Sequence, residues 1–245
     1  MSSRDEWYAL RDLTPARLAL GRSGNALPTS RVLEFQLAHA LARDAVYRSL
    51  HPDEIAAELR EIPAICVATK ADGRLSYLKN PALGRELSPG SRAQLKCGRY
   101  DAVLAIADGL SATAVHKHGL ALARAIFKAL PDLTWAPAVI IAQGRVAIGD
   151  EIAQLVGAEM AVVMIGERPG LTAADSLGLY LTYAPRPTIT RDAERNCISN
   201  IRPDGLPFAE AARRLAWLVR EARRLRLTGV GLKEDTPETA LPPGP

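Results

Sequence analysis

The sequence predicts an α/β protein: a Rossmann-like parallel sheet with flanking helices, preceded by a smaller N-terminal helical domain. Three observations predict it. Short, wholly apolar runs recur near 102–107, 137–142 and 160–166, as expected of strands buried on both faces. Each run is closed by a polar turn containing glycine, and helical patterns separate one run from the next, the alternation of a parallel sheet. The first third of the chain, by contrast, reads as mostly helical.

The elements follow in order. Pro28-Thr29-Ser30 offers capping hydroxyls, and Leu33, Leu37, Ala40, Leu41 and Asp44 recur at helical spacing, predicting a helix over 32–50. His51-Pro52 breaks it, and Asp53-Glu54 place carboxylates at the start of a second helix that runs to about 61. Residues 61–80 read as mainly loop, and 83–96 as room for a further helix after Ser88-Pro89. A strand follows at 101–107, a long helix at 112–130 ended by Pro131, a strand at 136–143 and a helix at 151–156. Strands at 159–165 and 178–183 and an amphipathic helix at 208–227 complete the pattern. The implied division is a helical region over 1–98, an α/β domain over 99–234 and a disordered, proline-rich tail over 235–245.

Composition narrows the function classes. The 245 residues are 48% hydrophobic and 24% charged, which is globular. No apolar run approaches the ~18–20 residues that span a bilayer, and the polar start is unlike a signal peptide. Three scattered cysteines without a CxxC pair argue against a disulfide framework or a structural zinc, and a reducing, cytoplasmic setting fits. The net charge of +4 is mild and aromatic residues are only 5%, too little for a nucleic-acid stacking surface. The basic stretch 213–226 carries Leu215, Leu218, Ala222 and Leu225 at helical spacing, so its charge reads as a solvated helix face.

Three turns lie where ligands of open parallel sheets sit, beyond the carboxyl ends of strands: 108–111, 144–150 and 166–170. Glycines there admit close backbone approach, and the helix start after Ser111 offers free N–H groups. Neither G-x-G-x-x-G nor a Walker pattern occurs, which removes the main support for dinucleotide or triphosphate binding. His116 and His118, two residues apart, face different sides of a helix and read as helix-face histidines, not metal ligands. No G-x-S-x-G elbow activates Ser111 or Ser199. Cys197 reads as a reactive thiol or a small buried residue, burial being the commoner case. Glu167 reads as an acid or base or as a loop carboxylate capping a backbone N–H, the cap being commoner.

Taken as strings, these loops carry more. Ala107-Asp-Gly-Leu-Ser-Ala112, Gly144-Arg-Val-Ala-Ile-Gly-Asp-Glu151, Ile165-Gly-Glu-Arg-Pro-Gly-Leu171, Leu179-Tyr-Leu-Thr-Tyr-Ala-Pro-Arg186 and Arg195-Asn-Cys-Ile-Ser-Asn-Ile-Arg202 occur in this order. Gly21-Arg-Ser-Gly-Asn-Ala-Leu-Pro-Thr29 and the stretch 77–84 join them. Over roughly 12–234 the chain resembles the small (light) subunit of ethanolamine ammonia-lyase.

The resemblance implies a two-chain, adenosylcobalamin-dependent radical enzyme that converts ethanolamine and related vicinal amino alcohols to an oxo compound and ammonia. The large subunit would hold the substrate. This chain, inactive alone and without catalytic residues, would help hold the cobalamin against it, and no metal ligand is expected here. The family's cobalamin contacts transfer to Val146, Glu167 and Cys197, 21 and 30 residues apart in intact motifs. Asp-x-His-x-x-Gly, the motif of proteins that replace the cofactor's lower base with histidine, is absent, since position 114 is alanine and 116 histidine; a base-on cofactor is expected. The resemblance implies a cytoplasmic location, with or without an ethanolamine microcompartment, into which many family members are packaged through an extended N-terminal segment. About ten residues precede the first matching motif here, which argues against encapsulation through this chain. Two rivals remain: an independent α/β nucleotide-binding enzyme, and an interaction-only scaffold subunit.

Overall fold

The computed structural model describes residue 10, residues 13–14 and residues 16–233. The tail read as disordered lies outside the described residues, as does most of the extreme N-terminus. Helix α1 (Thr29–Tyr47) is followed by α2 (Pro52–Glu58), β1 (Ala64–Ala68), α3 (Arg74–Lys79), a 3-10 turn (Pro81–Arg85) and the single-turn α4 (Pro89–Arg92). Then come β2 (Tyr100–Ala107), α5 (Ala112–Ala114), a π-helical turn (Val115–Gly119), α6 (Leu120–Ala129), β3 (Ala138–Ala142), α7 (Ile148–Val156) and β4 (Ala158–Gly166). The chain ends with β5 (Leu177–Tyr183), β6 (Asn196–Ile201) and α8 (Phe208–Leu225).

One six-stranded sheet runs in the order β1-β3-β2-β4-β5-β6. The first four strands are parallel; β5 and β6 are antiparallel to their neighbours. The sheet is therefore mixed, not purely parallel as the sequence suggests. β4 reaches β5 through a loop, not a crossover helix, and that short return forces the antiparallel direction. Alternation along the strands splits the core in two. Leu104, Ile106, Ile140, Val162 and Met164 face α6 and α8, while Val103, Ala105, Val139, Ile141 and Val163 meet Ile148 and Ile152 of α7. Burying each such side chain contributes ~1.5–3 kcal/mol, so two-sided burial is what selects the continuous apolar runs.

Several readings need correction. Residues 61–80 are not mainly loop: Ile65, Cys66 and Val67 pair with Val139, Ile140 and Ile141 to make β1 an edge strand. The sheet thus draws one strand from the segment read as an N-terminal helical region. Residues 83–96 form only a 3-10 turn and one helical turn, because Leu87 is buried and Ala68 and Glu86 backbone groups are tied across the chain. The hydroxyls of Thr29 and Ser30 do not cap α1; Pro28 holds that position without a side-chain bond. β6 escaped the sequence reading entirely, since Asn196-Cys-Ile-Ser-Asn-Ile201 buries only Ile198 and Ile201. α1 buries only Ala45 and leaves Leu33, Leu37 and Leu41 exposed.

A shelf at the carboxyl edge of the sheet

Three polar turns do converge at the carboxyl ends of β2, β3 and β4. Leu110 N–H donates to the carbonyl of Gly166, and Gly144 N–H donates to Asp108 Oδ1 at 3.1 Å. The first turn is not an open receptor, however. Asp108 is fully buried and meets Arg74 Nη1 at 3.0 Å, and the same nitrogen donates to the Gly109 carbonyl at 2.8 Å. Arg74 Nε donates to the Val46 carbonyl, which ties α1 to this point. Burial pushes the Asp108 carboxyl up to about 6, against the pull of Arg74 and of the backbone donors. Ser111 caps its own helix by accepting from Ala114 N–H and donates to the Ala174 carbonyl. This crevice between β2 and β3 is closed by the chain's own groups.

The open ground lies further along, over β5 and β6. α8 covers one face of these two strands. On the other face α7 packs against β2 and β4, and Cys197 and Ser199 of β6 remain exposed with Tyr180 of β5 half-buried. Cys197 is therefore not the buried small residue its type suggested. It stands on the outward face of an edge strand, with its Sγ 3.2 Å from Ser199 Oγ. The polar alternation of β6 put it there.

Tyr180 joins the three residues singled out from the sequence. It lies directly across the ladder from Cys197. It shares the lining of a cavity of about 260 Å³ with Val146, beside Arg85, Arg145, Ala147, Asp192 and Arg195. A Cβ built on Gly178 would meet both Glu167 Oε1 at 3.2 Å and the Tyr180 ring at 3.3 Å, so the carboxylate and the ring flank a site that glycine leaves bare. Burial, then Cys197 and Glu167, hold the Tyr180 phenol above its ordinary range, so it stays protonated. Nothing in the composition distinguished Tyr180; its motif was visible, but its role as the shared neighbour depends on strand register.

Glu167 has a structural task as well. Its two carboxylate oxygens accept from Asn200 N–H at 3.3 and 3.2 Å, clamping the end of β6 to the turn after β4. Beneath the shelf, Arg195 grips Asp150 with two bonds of 2.6 and 2.7 Å and donates to Thr182 Oγ1 at 2.9 Å, all buried. The residue two before Cys197 is thereby anchored to the first turn of α7. His116 meets the His51 ring and His118 the Phe208 ring, each at a tilt, from the π-helical turn. Among the described residues no group of three or more metal-ligating side chains assembles, and no helix is long and apolar enough to cross a membrane.

Residues 4–233 match the family model of the ethanolamine ammonia-lyase light chain (EutC). The chain is similar to the ethanolamine ammonia-lyase small subunit of Xanthomonas campestris pv. campestris strain B100, 50% identical over 248 residues, which cover 97% of this chain and 91% of that one. The Azotobacter vinelandii small subunit is 48% identical over 244 residues, covering 96% and 90%. That of Pseudomonas putida strain W619 is 51% identical over 239 residues, covering 94% and 88%.

Proposed function

The chain belongs to the ethanolamine ammonia-lyase light-chain family, and from that premise we propose that it is the cobalamin-holding small subunit of a two-chain ammonia-lyase. The substrate is ethanolamine or a related vicinal amino alcohol, and the products are an oxo compound and ammonia. A large-subunit chain binds the substrate, and this chain has no turnover alone. The observation that carries the reading is the convergence of Val146, Glu167 and Cys197 around Tyr180 on the face of β5 and β6 opposite α8.

The residues fit the group. A corrin presents an apolar rim and amide side arms. Val146 and the Tyr180 ring supply apolar surface, Glu167 a charged acceptor for amide N–H groups, and Cys197 a small soft contact. Gly178 keeps the floor flat, since a Cβ there would fill the cradle between Glu167 and Tyr180. The bound cofactor supplies the radical chemistry that side chains cannot, while this chain binds, orients and shields it. His116 and His118 sit on the π-helical turn against His51 and Phe208, and the cofactor is read as base-on. The setting is cytoplasmic, with or without a microcompartment around the assembled enzyme.

Titration of the co-purified two-subunit complex with cobalamin tests the reading. Each hydrogen bond to a charged acceptor contributes ~1.5–3 kcal/mol, so Glu167→Ala should weaken affinity about ten- to a hundredfold and Glu167→Gln less. Saturating cofactor should restore most turnover in both. Because Glu167 also clamps Asn200, an interaction-only subunit makes the opposite forecast: a lower Tm in Glu167→Ala with cobalamin affinity unchanged. That result would end the assignment.

A further inference from the structure

The cavity beside Val146 holds more positive charge than the protein itself uses. Three arginines line it, Arg85, Arg145 and Arg195, with Asp192 at its rim. Arg195 is committed to Asp150, yet it is only 7% exposed and its buried Nε has no hydrogen-bond partner among the described residues. The closest carboxylate to that nitrogen, Asp192 Oδ1, is 3.5 Å away on a side chain that is 91% exposed. Arg145 lies beside the Tyr77 hydroxyl, and neither it nor Arg85 forms an ion pair among the described residues. Of the carboxylates nearby, Asp150 is bound by Arg195, Glu86 and Glu151 are held by Lys70 and Arg92, and Asp192 stands exposed at the rim. Arg85 and Arg145 are left as surplus cations around a recess of about 260 Å³, against the ~30 Å³ share of one water molecule.

From this surplus charge, the orphaned Nε and the recess they enclose, we infer that the pocket is an oxyanion site that takes a phosphodiester, namely the one in the nucleotide tail of the cobalamin. Planar guanidinium forks match phosphate oxygens, and a partly buried recess keeps that attraction from being screened. Val146 and Tyr180 belong to both the shelf and the pocket wall, so a corrin held on the shelf would border the arginine-lined recess. The inference rests on the cobalamin reading and deepens it: the shelf holds the ring, and the arginine pocket holds the tail.

The test uses the co-purified two-subunit complex and compares cyanocobalamin with dicyanocobinamide, which has the same corrin but lacks the phosphodiester and nucleotide. Affinities come from equilibrium dialysis for wild type, Arg85→Ala, Arg145→Leu and the conservative Arg145→Lys, with Tm recorded for each. Wild type should prefer cobalamin. Arg85→Ala and Arg145→Leu should each lose about tenfold or more in cobalamin affinity while cobinamide affinity stays within about twofold, and Arg145→Lys should recover part of the loss. Equal losses for both ligands, or unchanged affinity for both, would overturn the inference while leaving the cobalamin reading intact. Inorganic phosphate that raises the Tm of wild type but not of Arg145→Leu, with cobalamin and cobinamide bound alike, would assign the pocket to a free anion and equally overturn it. A complex that binds neither corrinoid would overturn the reading beneath.

Discussion

Arg74→Met should destabilise this protein more than any surface change, and by an amount that depends on pH. The guanidinium makes three bonds inside the fold: Nη1 to Asp108 Oδ2 at 3.0 Å, Nη1 to the Gly109 carbonyl at 2.8 Å and Nε to the Val46 carbonyl at 2.7 Å. Methionine keeps an apolar stem but removes the guanidinium that lies over the Tyr77 ring and leaves all three acceptors unmatched. Removing one partner of a buried pair costs ~3–5 kcal/mol, and at ~2–4 °C per kcal/mol for a chain of this size the Tm should fall by ~6–20 °C. The sign of the pH dependence follows from Asp108, whose carboxyl burial raises from 3.8 to about 6 even with Arg74 beside it. A carboxyl raised in the fold binds its proton more tightly there than in the unfolded chain. It therefore lowers stability as pH climbs from 3.8 to about 6 and adds no slope above that. Without Arg74 the folded value moves higher, so the decline continues towards neutral pH and the variant should lose more at pH 8 than at pH 5. Adding Asp108→Asn removes the titrating group and should flatten that difference. Thermal denaturation of the three proteins across pH 5–8 checks this. A Tm loss under ~2 °C, below 1 kcal/mol on the same scale, or a loss independent of pH, would refute the reasoning.

Other expectations follow from single contacts. Asp150→Asn strands the buried Arg195 guanidinium, which now holds it with bonds of 2.6 and 2.7 Å, and thermal melts should show a loss of ~3–5 kcal/mol. Gly166→Ala drives a Cβ into the carbonyl oxygens of Ser111 and Asp108; neither is a flexible side-chain end, so ~1–3 kcal/mol or more should be lost in chemical denaturation. Tyr180→Phe should keep most cobalamin affinity in the two-subunit complex, whereas Tyr180→Leu should lose about two- to tenfold as the ring contact goes. Because Tyr180 is only half-buried, a large Tm loss in Tyr180→Leu with unchanged affinity would make it a core residue and not part of the shelf.

The strands that sequence made legible are those buried on both faces. The runs at 102–107, 137–142 and 160–166 have no polar residue to break the pattern, because α6 and α8 press on one side and α7 on the other. Where burial is one-sided or the strand sits at an edge, the pattern fades: β1 interleaves half-buried residues and β6 buries two of six. Helices with strong apolar faces, such as α8, were equally plain, while 83–96 was misread because its shape is set by the buried Leu87 and by bonds to residues far along the chain.

By itself the sequence determined the family and the alternation of elements, and it offered Val146, Glu167 and Cys197 as candidates, because motifs are local strings and each residue type carries its chemistry with it. The tertiary structure decided what those residues do to one another. Strand pairing sets Tyr180 opposite Cys197, and a missing side chain at Gly178 opens the space beside Glu167. Likewise, residues 74 and 108, which no spacing connects, close the crevice at the turn after β2. Arg85, Arg145 and Arg195 meet around one recess only because a 3-10 turn, a loop and the approach to an edge strand end at the same corner of the sheet. Such meetings depend on the register and packing of distant segments, which fix distances in space that no separation along the chain encodes.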